Sequence, residues 1–184
     1  MKMATDLNVP VLETPRLILR GHTLDDFEAS TAIWSDPVVC RFFHGGPMTR
    51  EDIWGRLLRT FGMWAAFGYG SWAVEEKKTG DYIGRVGVAA VQRDLDPALE
   101  GMPETGWTLA SRVHGRGYAT EATQAALAWT DGRLGNPRMF CIIAPQNRAS
   151  IRVAEKCGFR FWRETTYKAE ATLILLRDST AGGG

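Results

Sequence analysis

Cysteine and histidine are scarce in this 184-residue chain, with three of each. Cys40, Cys141 and Cys157 are odd in number and far apart, which argues against a disulfide framework. No CxxC pair and no regular histidine spacing is present, which argues against a metal site. No apolar run approaches the ~20 residues that cross a bilayer. The opening MKMATDLNVPVLETPRLILR lacks the apolar core of a secretion signal, so the expected location is the cytoplasm, with no membrane partner. An excess of one charge is also missing: 22 basic residues stand against 21 acidic ones. That balance speaks against nucleic-acid binding, which needs a broad basic field, but leaves room for a local anion site. Apolar side chains are plentiful, at 45%, enough to build the core of one domain. We expect a loose arm over residues 1–10, a single domain over 11–178 and a tail over 179–184.

The hydrophobic pattern changes period along the chain. Arg16–Arg20 alternates as a strand. Thr23 caps a helix over 24–34, and Pro37 interrupts it. Thr49 caps a second helix, in which Ile53, Leu57, Leu58, Phe61 and Trp64 are expected to face a core. Residues 71–75 and 82–91, joined by Thr79-Gly80-Asp81, read as a hairpin. A polar loop leads to a strand over 104–110 and an alanine-rich helix over 118–131. Residues 140–144 form an apolar strand suited to a sheet interior. Asn147 caps a helix that exits at Gly158, and strands over 159–166 and 171–177 close the chain. This order predicts one mixed α/β domain with a mainly antiparallel central sheet and helices on both faces.

The densest chemical signal is Arg112-Val113-His114-Gly115-Arg116-Gly117-Tyr118-Ala119, where a strand turns into a helix. The first N–H groups of a helix lack internal acceptors, and glycines let backbone approach a ligand. This turn is either an anion cradle, helped by Arg112 and Arg116, or a structural turn. It is neither a dinucleotide fingerprint nor a P-loop.

Arg112, Gly115 and Gly117 match the pyrophosphate loop of the GNAT N-acetyltransferase superfamily, which the chain resembles. The segments Glu13–Arg20 and Asn147–Phe159 continue the likeness over roughly residues 12–177. The run Gly115–Ala122 resembles the ribosomal-protein-alanine N-acetyltransferase branch. One departure is His114, where many relatives carry Trp. The resemblance implies an acyl-CoA N-acyltransferase fold that binds acetyl-CoA at Arg112, His114, Gly115, Arg116, Gly117, Tyr118 and Ala119. Pantetheine then passes between the 104–110 and 140–144 strands, with a backbone N–H near Leu109 polarising the thioester carbonyl. Asn147, a helix cap by its residue type, matches an asparagine that contacts pantetheine in the family. Ser150, by itself a local hydrogen bonder, becomes a candidate to meet the coenzyme thiolate. The helix position of the family's tyrosine acid falls on Ala154, so that route is missing. Glu104, by composition a solvated charge, becomes the candidate base for the amine.

The implied reaction is direct acetyl transfer to a primary amine, with a protein or peptide N-terminus first and a small-molecule amine second. A noncatalytic acyl-CoA sensor is the alternative, and a homodimer stays open. Glu121 is read as electrostatic or structural and Cys141 and Cys157 as core, while His44 falls in a candidate substrate-side loop with its role left open. Trp34, Phe43 and Phe67 are candidates to line an acceptor pocket.

Overall fold

The computed structural model describes residues 7–43 and 45–179; His44 and the two chain ends, 1–6 and 180–184, lie outside the described residues. Among the described residues, eight strands form one sheet in the order β1-β2-β3-β4-β5-β6-β8-β7. They are β1 (Leu12–Glu13), β2 (Leu17–Arg20), β3 (Ser71–Glu76), β4 (Tyr82–Ala89), β5 (Glu104–Leu109), β6 (Met139–Ile143), β7 (Arg160–Tyr167) and β8 (Glu170–Arg177). Every neighbouring pair is antiparallel except β5 and β6. That parallel pair needs a crossover connection, which α4 (Tyr118–Leu134) supplies. The mixed, mainly antiparallel sheet flanked by helices agrees with the expectation from sequence.

The helix α1 (Phe27–Trp34) follows a short 3₁₀ turn over Leu24–Asp26 rather than running unbroken from residue 24. Pro37 does more than interrupt it. Pro37 is the first residue of α2 (Pro37–Cys40), where a missing N–H costs nothing, and Asp36 caps the turn by accepting from the Val38 N–H at 2.8 Å. In α3 (Arg50–Phe67), Thr49 and Asp52 form the capping box. Its buried positions are Ile53, Leu57, Thr60 and Trp64. Leu58 does not join them and stays 44% exposed, because it lies about 100° around the helix from Leu57. Asn147 caps α5 (Arg148–Lys156), its Oδ1 accepting from the Ser150 N–H at 3.1 Å.

The two sheet faces differ in chemistry. Leu17, Leu19, Trp72, Val74, Ile83 and Val86 pack with Ala122 and Ala126 of α4, whose small side chains let the helix lie close to the strands. A bulge between Val74 and Glu75 shifts the β3–β4 register, so that Tyr82 and Arg85 share the opposite face. That face is polar: Arg20 there pairs with both Asp26 and Glu75, and α1 and α3 cover it. A second core on the α4 side joins Met139, Cys141 and Leu175 to Ala154, Cys157 and Phe159. Among the described residues no helix is long and apolar enough to cross a membrane.

Candidate active site

The site grows from the one place where the sheet does not close. β5 and β6 are paired at a single position, Glu104 opposite Phe140, with the Phe140 N–H donating to the Pro103 carbonyl at 3.1 Å. Beyond that pair they separate. The Ala110 N–H donates to the Ile83 carbonyl at 2.8 Å, so Glu104, Gly106 and Thr108 also turn their backbone groups toward β4. Alternation then turns the N–H and C=O groups of Trp107 and Leu109 toward the gap. Among the described residues the Trp107 N–H and C=O and the Leu109 N–H have no strand partner there, and an extended amide-bearing chain can bond to them.

A 3₁₀ turn over Ser111–Val113 carries β5 into the glycine loop. Gly115 and Gly117 have φ of 76° and 80°, a left-handed region costly for other residues. Gly117 is the N-cap of α4 and supplies no side-chain cap. The N–H groups of Tyr118 and Ala119 thus have no acceptor in the helix, and this end of α4 suits phosphate oxygens. The His114 Nε2 lies 2.9 Å from the Leu109 carbonyl; as the Nε2–H tautomer it ties the loop to the end of β5. Arg112 pairs with Asp81 at 3.4 Å and Arg116 with Glu76 at 3.1 Å. Glu76 also accepts from the Tyr118 hydroxyl at 2.6 Å, and that bond chiefly holds its carboxyl below the usual range.

Sequence reasoning missed Arg16. Its guanidinium stacks 4.5 Å from the Tyr118 ring centroid and donates to the Arg116 carbonyl at 2.8 Å. Glu121 holds it there, accepting from the Arg16 Nε at 2.6 Å, the Arg16 N–H at 2.9 Å and the Thr14 hydroxyl at 2.6 Å. Glu121 is a brace, as expected, between the first strands and the loop. Nothing local in the sequence signals the contact, since Arg16 and Glu121 are 105 residues apart.

At the paired end of the gap, both Glu104 carboxylate oxygens accept from the Arg93 guanidinium, Oε1 at 2.7 Å. Arg93 also donates to the Tyr167 hydroxyl at 2.9 Å. Asn147 and Ser150 lie on the first turn of α5, beyond the far end of β6; Ser150 is half-buried rather than exposed. Asp36 joins the α1–α2 corner to the loop, accepting from the Ser111 hydroxyl at 2.5 Å. A cavity of about 280 Å³ lies there, lined by Ile33, Asp36, Tyr82, Ala110, Ser111 and Arg112 among others. Trp34 is buried and Phe43 stacks on it at 5.1 Å. Phe67 pairs instead with Tyr69 at the opposite end of α3, ~16 Å along the helix from Arg56, so the structure separates it from the other two. The three cysteines are free and buried. Burial raises the Cys141 thiol well above its ordinary value and pushes Cys157 to about 11, which leaves neither as a ready thiolate.

The GNAT acetyltransferase domain profile matches residues 16–160. The chain belongs to the GNAT acetyltransferase family. A putative GNAT-family acetyltransferase from Bordetella pertussis is 32% identical, with a TM-score of 0.81 over 92% of this chain and 99% of that one. An acetyltransferase from Agrobacterium tumefaciens is 29% identical, with a TM-score of 0.80 over 97% and 100%. The uncharacterised protein YkkB of Bacillus subtilis is 31% identical over 82% of this chain and 85% of its own length. Two remoter structures, 14% and 18% identical, share the fold at TM-scores of 0.76 and 0.74. They are a ribosomal L7/L12 α-N-protein acetyltransferase and an aminoglycoside acetyltransferase, each in complex with coenzyme A. Structures of ribosomal-protein and of aminoglycoside acetyltransferases match alike, so these likenesses do not single out the ribosomal-protein-alanine branch. The GNAT fold carries acetyl-CoA-dependent acetyl transfer as its general activity, and the uncapped α4 terminus and the splayed β5 fit that substrate.

Proposed function

We propose that this GNAT protein transfers the acetyl group of acetyl-CoA directly to a primary amine, with the N-terminal amine of a protein or peptide as the acceptor. The observation that carries the reading is the open β5–β6 gap, bounded by the glycine loop at one end and by Glu104 at the other. In this reading Gly115, Arg116, Gly117, Tyr118 and Ala119 hold the pyrophosphate, with Arg112 beside them and His114 fixing the loop. The N–H and C=O groups of Trp107 bond the pantetheine amides, and the Leu109 N–H meets the thioester oxygen, on which negative charge develops. Asn147 caps α5 and contacts the same arm. Orientation of the two substrates supplies a large part of the rate.

Glu104 takes the amine proton through a water. Each carboxylate oxygen has two acceptor sites, so one stays open on an oxygen that already accepts from Arg93. The amine nitrogen bonds to the carbonyl carbon, the C–S bond breaks, and the Ser150 hydroxyl protonates the departing thiolate. The hold of Arg93 on Glu104 is also the observation that favours the alternative, an acyl-CoA sensor without productive acceptor chemistry. A mass-resolved screen of peptides and small amines with acetyl-CoA separates them. Acetylation of peptide N-termini supports the proposal, modification of small amines alone rejects the peptide acceptor, and tight coenzyme binding without transfer to any acceptor supports the sensor.

A further inference from the structure

The polar face of the sheet carries more positive charge than its own acids neutralise. Arg85 lies in the middle of β4, directly opposite Thr108 of β5 and Ala73 of β3. Its hydrogen bond is from Nη2 to the Ser71 hydroxyl at 2.9 Å, and among the described residues no carboxylate pairs with it. Arg56 projects from the flank of the buried stripe of α3 and stacks 4.2 Å from the Trp34 ring centroid. Its Nε is buried without a hydrogen-bond partner among the described residues. Arg59 is one helical turn further on, on the same side, and it too has no ion pair among the described residues. The fields of Arg85, Arg59 and Arg93 reach Arg56 and, after burial, push its pKa down to about 9. Burial and Arg59 lower that of Arg85 as well.

The acids of this face are already engaged. Glu75 and Asp26 serve Arg20, and Glu104 serves Arg93. A guanidinium taken out of water without a counter-charge is destabilising, and here there are two, Arg56 and Arg85, the second directly opposite Thr108 of β5. There is also room. Gly106 is exposed, with no heavy atom within 4 Å of where a Cβ would stand. It leaves an opening between Glu104 and Thr108, whose side chains point to the same face.

We propose that Arg56, Arg59 and Arg85 bind an anionic group of the acceptor, so that the preferred amine carries a carboxylate or phosphate close to its nitrogen. This rests on the transfer reading above and names its substrate class. An acidic side chain just after a peptide N-terminus supplies that chemistry, and so does a free acidic amino acid. The same field repels polycationic amines such as polyamines and aminoglycosides. It also disfavours the protonated form of the incoming amine, and thereby raises the fraction able to attack.

The test uses peptides of one sequence with Glu-Glu, Gln-Gln or Lys-Lys at positions two and three, together with free glutamate, free glutamine and spermidine. Two quantities are read: kcat/KM for acetylation, and calorimetric binding to protein saturated with coenzyme A. The Glu-Glu peptide is expected to exceed the Gln-Gln peptide by about tenfold, roughly 1.4 kcal/mol, with Lys-Lys weakest and the preference shrinking as salt rises. Arg56→Gln brings the ratio toward one. Arg59→Glu, at an exposed position, narrows the gap between Glu-Glu and Lys-Lys severalfold while coenzyme affinity stays unchanged. Glutamate acetylated as well as the acidic peptide assigns the anion to small acids; the peptide alone assigns it to a protein terminus. Equal use of all three peptides, or ratios unmoved by Arg59→Glu, overturns the proposal and leaves acetyl transfer standing. Charge-selective binding without any acetylation does the reverse. Neither binding nor turnover of any anionic amine overturns both.

Discussion

Replacing Gly117 by alanine isolates the contribution of the glycine loop. A Cβ there meets nothing closer than the Arg16 guanidinium at 3.5 Å, an ordinary contact, so the penalty is one of backbone alone. Holding an alanine at φ 80° costs about 1–2 kcal/mol. Valine adds a branched Cβ and costs more. The chain has two responses. It keeps the conformation, and the melting temperature falls by about 2–8 °C for a protein of this size. Or it rotates out of the left-handed region and turns the Tyr118 and Ala119 N–H groups away from their target. One lost hydrogen bond to a charged phosphate is worth about 1.5–3 kcal/mol, or roughly a ten- to hundredfold weaker Kd. Gly135 is the internal control. It caps the other end of α4 at φ 70° with open space around its Cβ position, ~25 Å away along the helix. Gly135→Ala should lower the melting temperature by a similar amount and leave coenzyme affinity untouched. Calorimetric titration with acetyl-CoA, beside thermal unfolding followed by circular dichroism, reads both quantities. A folded Gly117→Val protein that binds acetyl-CoA as tightly as the unaltered one would refute the pyrophosphate loop.

Glu104→Gln should lower turnover by roughly 10²–10⁴-fold at nearly constant acetyl-CoA affinity, with partial rescue at high pH, where solvent supplies more neutral amine; a pH–rate profile at saturating acetyl-CoA shows it. Ser150→Ala should reduce turnover without that rescue under the same conditions. Burial pushes His22 down to about 3, against ~6.5 in the unfolded chain. The unfolded state therefore gains a proton first, and stability should fall as pH drops from about 6.5 toward 3, a slope that His22→Leu flattens in thermal melts. Burial raises the Glu121 carboxyl, but its bonds from Thr14 and Arg16 outweigh that and leave it below its ordinary value. Its contribution, present above about pH 4.5, should be lost in stronger acid, and Glu121→Gln should remove that part of the acid transition.

Local chemistry was readable in the sequence, and long-range pairing was not. Thr49, Asn147 and Gly158 announce helix ends because the groups they satisfy lie within a few residues. Gly115 and Gly117 announce the loop for the same reason. The brace of Arg16 on Glu121 and the hold of Arg93 on Glu104 depend on how distant segments dock, which no periodicity encodes. Arg85 and Arg56 are intermediate. One is a charge between apolar residues of a strand and the other stands beside an apolar helix stripe, so each breaks a local pattern; only the structure shows them facing the same space. Leu58 marks the opposite limit, where helical spacing pointed to the core and the side chain stays 44% exposed, while the interruption at Pro37 is real and also begins α2.

The single β5–β6 pair has a mechanical consequence. The sheet is two stiff plates, β1–β5 and β6–β8, that share one rung of their ladder. Load drawn across that line meets one pair of residues and the packing of α4, rather than a row of hydrogen bonds. Any extended molecule that bonds along the free edge of β5 adds rungs to the seam. The slot that receives such a molecule is therefore also the weakest joint of the sheet. Amide hydrogens of Trp107 and Leu109 should exchange quickly in the empty protein and slowly in the filled one. Shear resistance should rise with occupancy, most steeply along this one line.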